Sequence, residues 1–436
     1  MARVNEGLPP PIKPNRRQEM RFALRALEER NYRLLFWPQT LSLCGTWMQN
    51  TAQGWLIYRL SDSPGWLGTI TFLTLFPIFF LSLWAGVVGD RHPRKWILWL
   101  VNAAAGIQAF ALGYLTLTGH ISVHLIALFA TFLGILNSFE IPNRQAFVLD
   151  LVTREKLPSA VALNSTAFNI ARLVGPLMAG VLIPWKGEGI CFVLNSLTYL
   201  PILFSLFFLQ VPGPSDHHRG IGLWVSLKGG VRYALASPEL RPALLLVAFA
   251  SFSGVWFPAF LPVFAESLAT PGARLDEPMV LGILVASVAM GSLLGAYSVA
   301  KKTDGRQMGR RVVLGAFALT LGMPLFAMVH HLILAVPVLA GLGFSMVTLN
   351  VGTNTLVQTV TPDELRGRIS SVYTVAFLGI GPVGALAAGF AAENVGISKV
   401  LIYSGLMGFL LILAPARGVF RSRAVSRPAQ SPGTFE

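Results

Sequence analysis

Charge is what this chain has least of. Of its 436 residues only 12% are Asp, Glu, Lys or Arg, while 53% are hydrophobic and the mean hydropathy is +0.60. A soluble domain carries about twice that share of charge, so the composition is that of a polytopic membrane protein. Cysteine is nearly missing: Cys44 and Cys191 both lie inside apolar runs and read as small core residues rather than a disulfide or metal pair. His-Glu-x-x-His, a Gly-rich Lys-Ser/Thr phosphate loop and paired cysteines at metal spacing are all lacking. We therefore expect no enzyme activity, no metal and no cofactor, and transport driven by a gradient rather than by ATP. Acid is scarcer than base, 20 against 34, for a net charge of +14. Nucleic acid is excluded as the partner, because the basic residues are scattered between apolar runs. The first thirty or so residues are polar and Pro-rich, so no cleavable signal peptide is expected.

What is present is a succession of apolar runs. At roughly 20 residues per span, the chain accommodates about a dozen helices. Residues 1–30 read as a cytoplasmic tail, with an interfacial helix or a solvated leader over 18–30. A first six-helix bundle over 31–210 has spans near 33–58, 65–88, 96–117, 121–141, 160–184 and 189–210. A central cytoplasmic loop, 211–238, holds His217-His218-Arg219 and a surface helix around Trp224–Ala236. A second bundle over 239–415 has spans near 240–267, 279–300, 311–329, 332–357, 369–391 and 396–415, and 416–436 is a tail. The fold class is all-α, twelve transmembrane helices in two six-helix bundles.

Lys and Arg concentrate in alternate segments: the N-terminal tail, Arg91 to Lys95, Arg144 to Lys156, Arg219 to Arg241, Lys301 to Arg311, Arg366 to Arg368 and the C-terminal tail. The opposite loops hold only Arg59, Lys186, Arg274 and Lys399. Both termini are therefore expected in the cytoplasm. An internal repeat supports the division into halves. Val152-Thr153-Arg154-Glu155-Lys156-Leu157 returns as Val360-Thr361-Pro362-Asp363-Glu364-Leu365, and Gly175-Pro176 returns as Gly381-Pro382. Six spans per half give a parallel duplication.

Polar side chains inside apolar spans mark candidate sites. Ser42, Thr46, Gln49, Asn50 and Gln53 form one stripe on the first span. Such groups do not face lipid; they line a substrate cavity or glue helices together, and both readings stand. In the fifth span Ser165, Asn169 and Arg172 share a face, and Arg172 is the one basic residue well inside an apolar run. It would hold an anionic substrate, pair with a titrating acid, or make a structural pair. Gly175 and Pro176 there suggest a bend with a smooth packing face. Glu140, near the cytoplasmic end of the fourth span, is the candidate proton carrier or part of a gate latch. Asp150 reads as loop-bound, and Glu266 and Glu393 lie toward the outer side. In the second half Asn350, Asn354 and Gln358 recur every four residues, and Trp256, Pro258 and Pro262 mark a kinked span. An aromatic there suits a ring-bearing ligand or fills space between helices.

Between the second and third spans stands Gly86-Val87-Val88-Gly89-Asp90-Arg91-His92-Pro93-Arg94-Lys95. Gly86 would allow close helix approach. Asp90 is a candidate cap for the next helix, and Arg91, Arg94 and Lys95 would hold the turn at an anionic membrane face. In the second half Gly295 aligns with Gly86, but Val299 stands where the acid would. The order of residues resembles the loop 2–3 signature of the major facilitator superfamily. That resemblance implies a cytoplasmic gate and a pairing of Arg94 with Glu140. Gly175-Pro176-x-x-Ala179-Gly180 resembles the fifth-helix antiporter motif, with Ala179 a departure from glycine. Asn31-Tyr32-Arg33, Gly45-Thr46-Trp47-Met48-Gln49, Gly54-Trp55-Leu56 and the run from Asn164 to Gly180 resemble a bacterial subgroup. That subgroup comprises the enterobactin exporters and macrolide efflux permeases, the transmembrane secretion effectors. The resemblance implies a proton-driven exporter of siderophores or drug-like small molecules in the bacterial inner membrane, working as a monomer by alternating access; an importer of a small solute on the same fold and a non-transporting membrane sensor or assembly protein are the alternatives.

Overall fold

A computed structural model describes residues 24–209, 223–269, 275–300, 305–362 and 365–421. The described residues are helical, as a lipid-spanning backbone must be when no water is at hand to satisfy it. The first half contributes α1 (Arg30–Ser61), α2 (Pro64–Arg91), α3 (Arg94–Leu117), α4 (Val123–Leu151), α5 (Leu157–Lys186) and α6 (Glu188–Phe208). A connecting helix, α7 (Leu223–Ala236), follows; His217-His218-Arg219 lie outside the described residues. The second half contributes α8 (Leu240–Leu268), α9 (Glu277–Ala300), α10 (Gly305–Ala327), α11 (Leu332–Val360), α12 (Arg366–Val395) and α13 (Ile397–Arg421). Among the described residues 11 helices are long and apolar enough to cross a membrane. The twelfth is α1, long enough at 32 residues but less apolar because it carries the polar stripe.

Local chemistry sets the helix ends. Ser63 caps α2, its hydroxyl accepting from the Trp66 N–H ahead of Pro64 at the first helical position. Ser122 caps α4 in the same way through Leu125. The repeat reappears in the reversals: Gly187 after α5 and Gly396 after α12 both have positive φ, 75° and 84°, where a side chain would be strained. Helix α8 breaks as its prolines require, passing through a π turn at Ser251–Val255 and a 3-10 turn at Phe257–Phe260. A second π turn interrupts α12 at Val375–Gly379, and the Ser251 hydroxyl donates to the Phe377 carbonyl at 2.6 Å. At the chain's start only a short 3-10 turn, Arg25–Glu28, is described. It is pinned to the start of α5 by Lys156, which pairs with Glu28 and Glu29. The hydrogen bond to Glu29 holds the Lys156 ammonium above its ordinary pKa.

An even number of spans puts the start of α1 and the end of α13 on one face, called here the terminal face; the opposite face is distal. The halves join at the distal side through two glycine seams. Gly68 of α2 lies on α12, where a Cβ would come 2.5 Å from the Ala385 carbonyl. Gly282 of α9 lies on α5, where a Cβ would come 2.7 Å from the Pro176 carbonyl. Two hydrogen bonds cross beside them: Tyr58 to Glu266 at 2.5 Å and Ser63 to Glu393 at 2.5 Å. The distal core accordingly mixes both halves, with Trp55 and Leu56 alongside Phe260 and Phe264. Toward the terminal face the first half has a core of its own, built on Tyr32, Phe147, Ile202 and Leu206 and including no residue of the second. The halves therefore enclose a cleft that is sealed distally and parts toward the terminal face.

The seams give a direct test. Gly68→Leu, by overpacking a backbone contact at a cost of about 1–3 kcal/mol, should force the distal ends apart. Spin labels on the distal ends of α2 and α12 should then report longer distances than in the parent chain.

Candidate functional site

Most of the stripe on α1 faces the interior of the first half, not the cleft. Gln49 is 2% exposed, and its Oε1 accepts from Asn195 Nδ2 of α6 at 2.7 Å. Thr198 donates to the Asn195 amide oxygen at 3.1 Å. Gly45 permits this approach, since a Cβ there would lie 2.7 Å from the Thr198 hydroxyl. Gln53 is also buried, its Oε1 without a partner. Gln49 and Gln53 thus both lie in the packed interior, the first tied to Asn195 and the second with its Oε1 unpartnered. Thr46 and Ser42 line a small cavity within the first half. Asn50, by contrast, is exposed.

The cleft draws its charge from α5. The Arg172 guanidinium lies 5.5 Å from the centroid of the Trp47 ring, a cation–π contact, and Phe168 meets the same ring edge-on at 5.6 Å. Arg172 is half-buried, and among the described residues no acid pairs with it. Asn169, one turn before, donates to the Ser165 carbonyl at 2.8 Å, and Ser165 and Phe168 are exposed beside it. Gly175 seats α5 against α1, 2.8 Å from the Cys44 carbonyl by its Cβ position. Helix α5 continues through Pro176, and Gly175 there serves close packing against α1.

The signature turn is tighter than its charges suggest. Gly86 to Arg91 are the last turns of α2, only His92 and Pro93 are non-helical, and Pro93 occupies the cap position of α3. Asp90 is therefore not the cap of α3; its side chain lies outside what is described. Gly86 has open space where a Cβ would stand. The close approach falls to Gly89, which faces the Asn143 amide of α4, and Asn143 donates to the Ala85 carbonyl at 3.3 Å. Arg91 is exposed. Lys95 caps the end of α6 instead of resting at a lipid surface: its ammonium donates to the carbonyls of Phe207 at 2.9 Å and Leu209 at 2.7 Å.

The expected pairing of Arg94 with Glu140 is not found. Arg94 bonds Asp150 at 3.0 Å, and Glu140 pairs with Arg144 one turn along its own helix, also at 3.0 Å. The reason is geometric: Arg94 opens α3 and Asp150 sits in the last turn of α4, whereas Glu140 lies about 15 Å deeper along that helix. Asp150 is thus helical rather than loop-bound.

In the second half Trp256 is 5% exposed, and its indole N–H donates to the Phe252 carbonyl at 2.7 Å. It packs on Gly384 and fills space between helices instead of lining a cavity. The Asn350 backbone carbonyl accepts from the Tyr373 hydroxyl at 2.7 Å, with the Asn350 amide oxygen as a second acceptor. Asn354 accepts from Gln358 at 3.0 Å, and both asparagines remain half-buried. Sequence reasoning missed Gln39, Asn102, Asn137, Asn195 and Tyr199. The first three were visible as polar residues inside apolar spans, but their convergence with Glu140 was not.

Twelve helices in two joined halves around a one-sided cleft define a transporter of the major facilitator fold. The chain belongs to the transmembrane secretion effector family, whose model matches residues 22–430, and is a multi-pass membrane protein. It is 24% identical to the staphyloferrin A transporter of Staphylococcus aureus over 84% of this chain and 90% of that one. It is 26% identical to the enterobactin exporter EntS of Shigella boydii over 79% and 80% of the two chains. Solved structures share the fold alone. The nucleoside transporter NupG superposes with TM-score 0.70 at 13% identity, covering 90% of this chain and 100% of that one. An inward-facing, unoccupied bacterial homologue of the human lysosomal transporter Spinster gives TM-score 0.64 at 15% identity, covering 93% and 97%.

The Arg94–Asp150 pair can be checked by a double-mutant cycle. Arg94→Gln and Asp150→Asn should each lower the thermal midpoint in detergent, and the double variant should show a coupling of about 0.5–1 kcal/mol, as for a partly exposed pair.

Proposed function

We propose that the chain exports an anionic, siderophore-like small molecule from the bacterial cytoplasm in exchange for protons, by alternating access in the inner membrane. The observation that carries this reading is Arg172, a cation with no described acid partner, set beside Trp47 and Phe168 in the cleft. An unopposed guanidinium favours carboxylate or phenolate groups, and the aromatic rings suit a ligand with rings of its own. The names of the siderophore-transporting relatives agree with that chemistry. The chain acts as a carrier rather than an enzyme, and a monomer suffices.

The bias of Lys and Arg makes the terminal face cytoplasmic, with both termini inside, so the cleft described is open inward. Substrate enters from the cytoplasm and meets Asn50, Asn169 and Arg172 on one side, with Asn350 and Asn354 on the other. Rocking of the bundle 31–210 against 239–415 would open the seams and close the cytoplasmic ends, where Gly86, Asp90, Arg91, Arg94 and Lys95 form the latch. Glu140 carries the coupling proton.

Flux in proteoliposomes of known orientation with an entrapped pH dye tests this. Enterobactin or staphyloferrin A should move protons against itself. Arg172→Ala should raise the KM for these anions about tenfold or more, the scale of one lost charge-assisted hydrogen bond, and leave neutral compounds unaffected. Asp90→Asn should slow turnover with membrane insertion intact; normal flux in that variant would remove the latch.

A further inference from the structure

The first half contains a small polar chamber among its own helices. Its volume is about 60 Å³, room for a few water molecules. Gln39, Ser42 and Thr46 reach it from α1, Asn102 from α3, Asn137 and Glu140 from α4, and Tyr199 from α6. The Ser42 hydroxyl makes no hydrogen bond within the protein, and neither do the amides of Gln39 and Asn137, which are half-buried. Thr46 and Asn102 each donate back to their own helices, at 2.9 Å and 2.8 Å. Polar groups with hydrogen-bonding capacity to spare around a cavity of this size hold water.

The charged surroundings of Glu140 are sparse. Its own helix presents Arg144 at 3.0 Å, and α6 presents the Tyr199 hydroxyl. Helices α1 and α3 present only neutral groups to the chamber. Helix α2 meets α4 at Gly89 and Asn143, and the Arg94–Asp150 pair lies at the far helix end. Helix α1 is the wall between chamber and cleft: Thr46 faces the chamber, and the next residue, Trp47, packs on Arg172.

We propose that this chamber is a proton-holding site in its own right, in which water delivers the proton to Glu140 without substrate ever entering. This rests on the reading of Glu140 as the coupling acid. The step transfers one proton from a chamber hydronium to a carboxylate oxygen of Glu140, leaving water behind. The neutral acid then lets go of Arg144, and the return transfer restores the ion pair. Substrate and proton act through opposite faces of α1 rather than by competing for one group.

Infrared difference spectroscopy on the reconstituted full chain, stepped in pH without substrate, reads this site independently of flux. A carboxyl C=O band should appear on acidification, shift at once in D2O, and vanish in Glu140→Gln. Asn137→Leu should move the band to higher frequency by removing a water-holding group, and Arg172→Ala should leave it in place. Loss of export with the band intact would fault the transport reading and leave the chamber standing. A band untouched by Glu140→Gln, one moved as far by Arg172→Ala as by Asn137→Leu, or one that follows sodium rather than pH would overturn the chamber as a proton site. Circular dichroism of each variant confirms that the loss is not unfolding.

Discussion

A helix that carries Ser42, Thr46, Gln49, Asn50 and Gln53 can cross a bilayer only if protein or water meets each of those groups. Lipid offers no hydrogen bonds, and each group left bare would cost on the order of a few kcal/mol. That constraint places α1 at the centre of the first half. Its amides join α6 through Gln49 and Asn195, its hydroxyls line a chamber with α3, α4 and α6, and its aromatic edge touches α5 at Arg172. Gly45 and Gly175 exist in this setting as contact points for α6 and α5. One helix thereby serves as the partition between two polar compartments.

The halves meet by a different principle. At the distal side they approach backbone to backbone, because Gly68, Gly180, Gly282 and Gly389 carry nothing to hold them apart. Small residues let dispersion act over a long contact without a hydrophobic drive, which lipid does not supply between helices. Such seams are flat and few-bonded, reinforced by hydroxyl-to-carboxylate contacts at Glu266 and Glu393. Both carboxylates are exposed, so these contacts add little energy and can part without leaving a buried charge behind. A gate that must open repeatedly is well served by contacts of that kind.

The number of helices could be read from hydropathy, because lipid imposes one length and one polarity on every span, and the repeat from recurring motifs such as Gly175-Pro176 and Gly381-Pro382. The same rule made Arg172 and the α1 stripe conspicuous. Partners were another matter. Arg94 was matched with Glu140 through the family resemblance, but the depth along α4 decides for Asp150, and Arg144 is already one turn from Glu140. Gly86 and Gly89 are equivalent in sequence terms, and only the position of Asn143 distinguishes them. Lys95 looked like a lipid-facing cation until the end of α6 was seen beneath it. Trp256 looked like a ligand wall until Gly384 was found against it. The chamber was invisible for a related reason: its seven polar residues come from four helices, and no periodicity in one helix announces a meeting of four.

The partition at α1 is the claim on which the account rests, and thiol labelling reads it directly. In a chain with Cys44 and Cys191 replaced by serine, single cysteines at Asn50 and Ser42 would be exposed to a membrane-impermeant maleimide from the cytoplasmic side of oriented vesicles. Rapid labelling at position 50 with protection at position 42 is the predicted result, since Asn50 is exposed and Ser42 is buried in the chamber on the other side of α1. Equal labelling of both would mean a single continuous cavity and would contradict the two-compartment account.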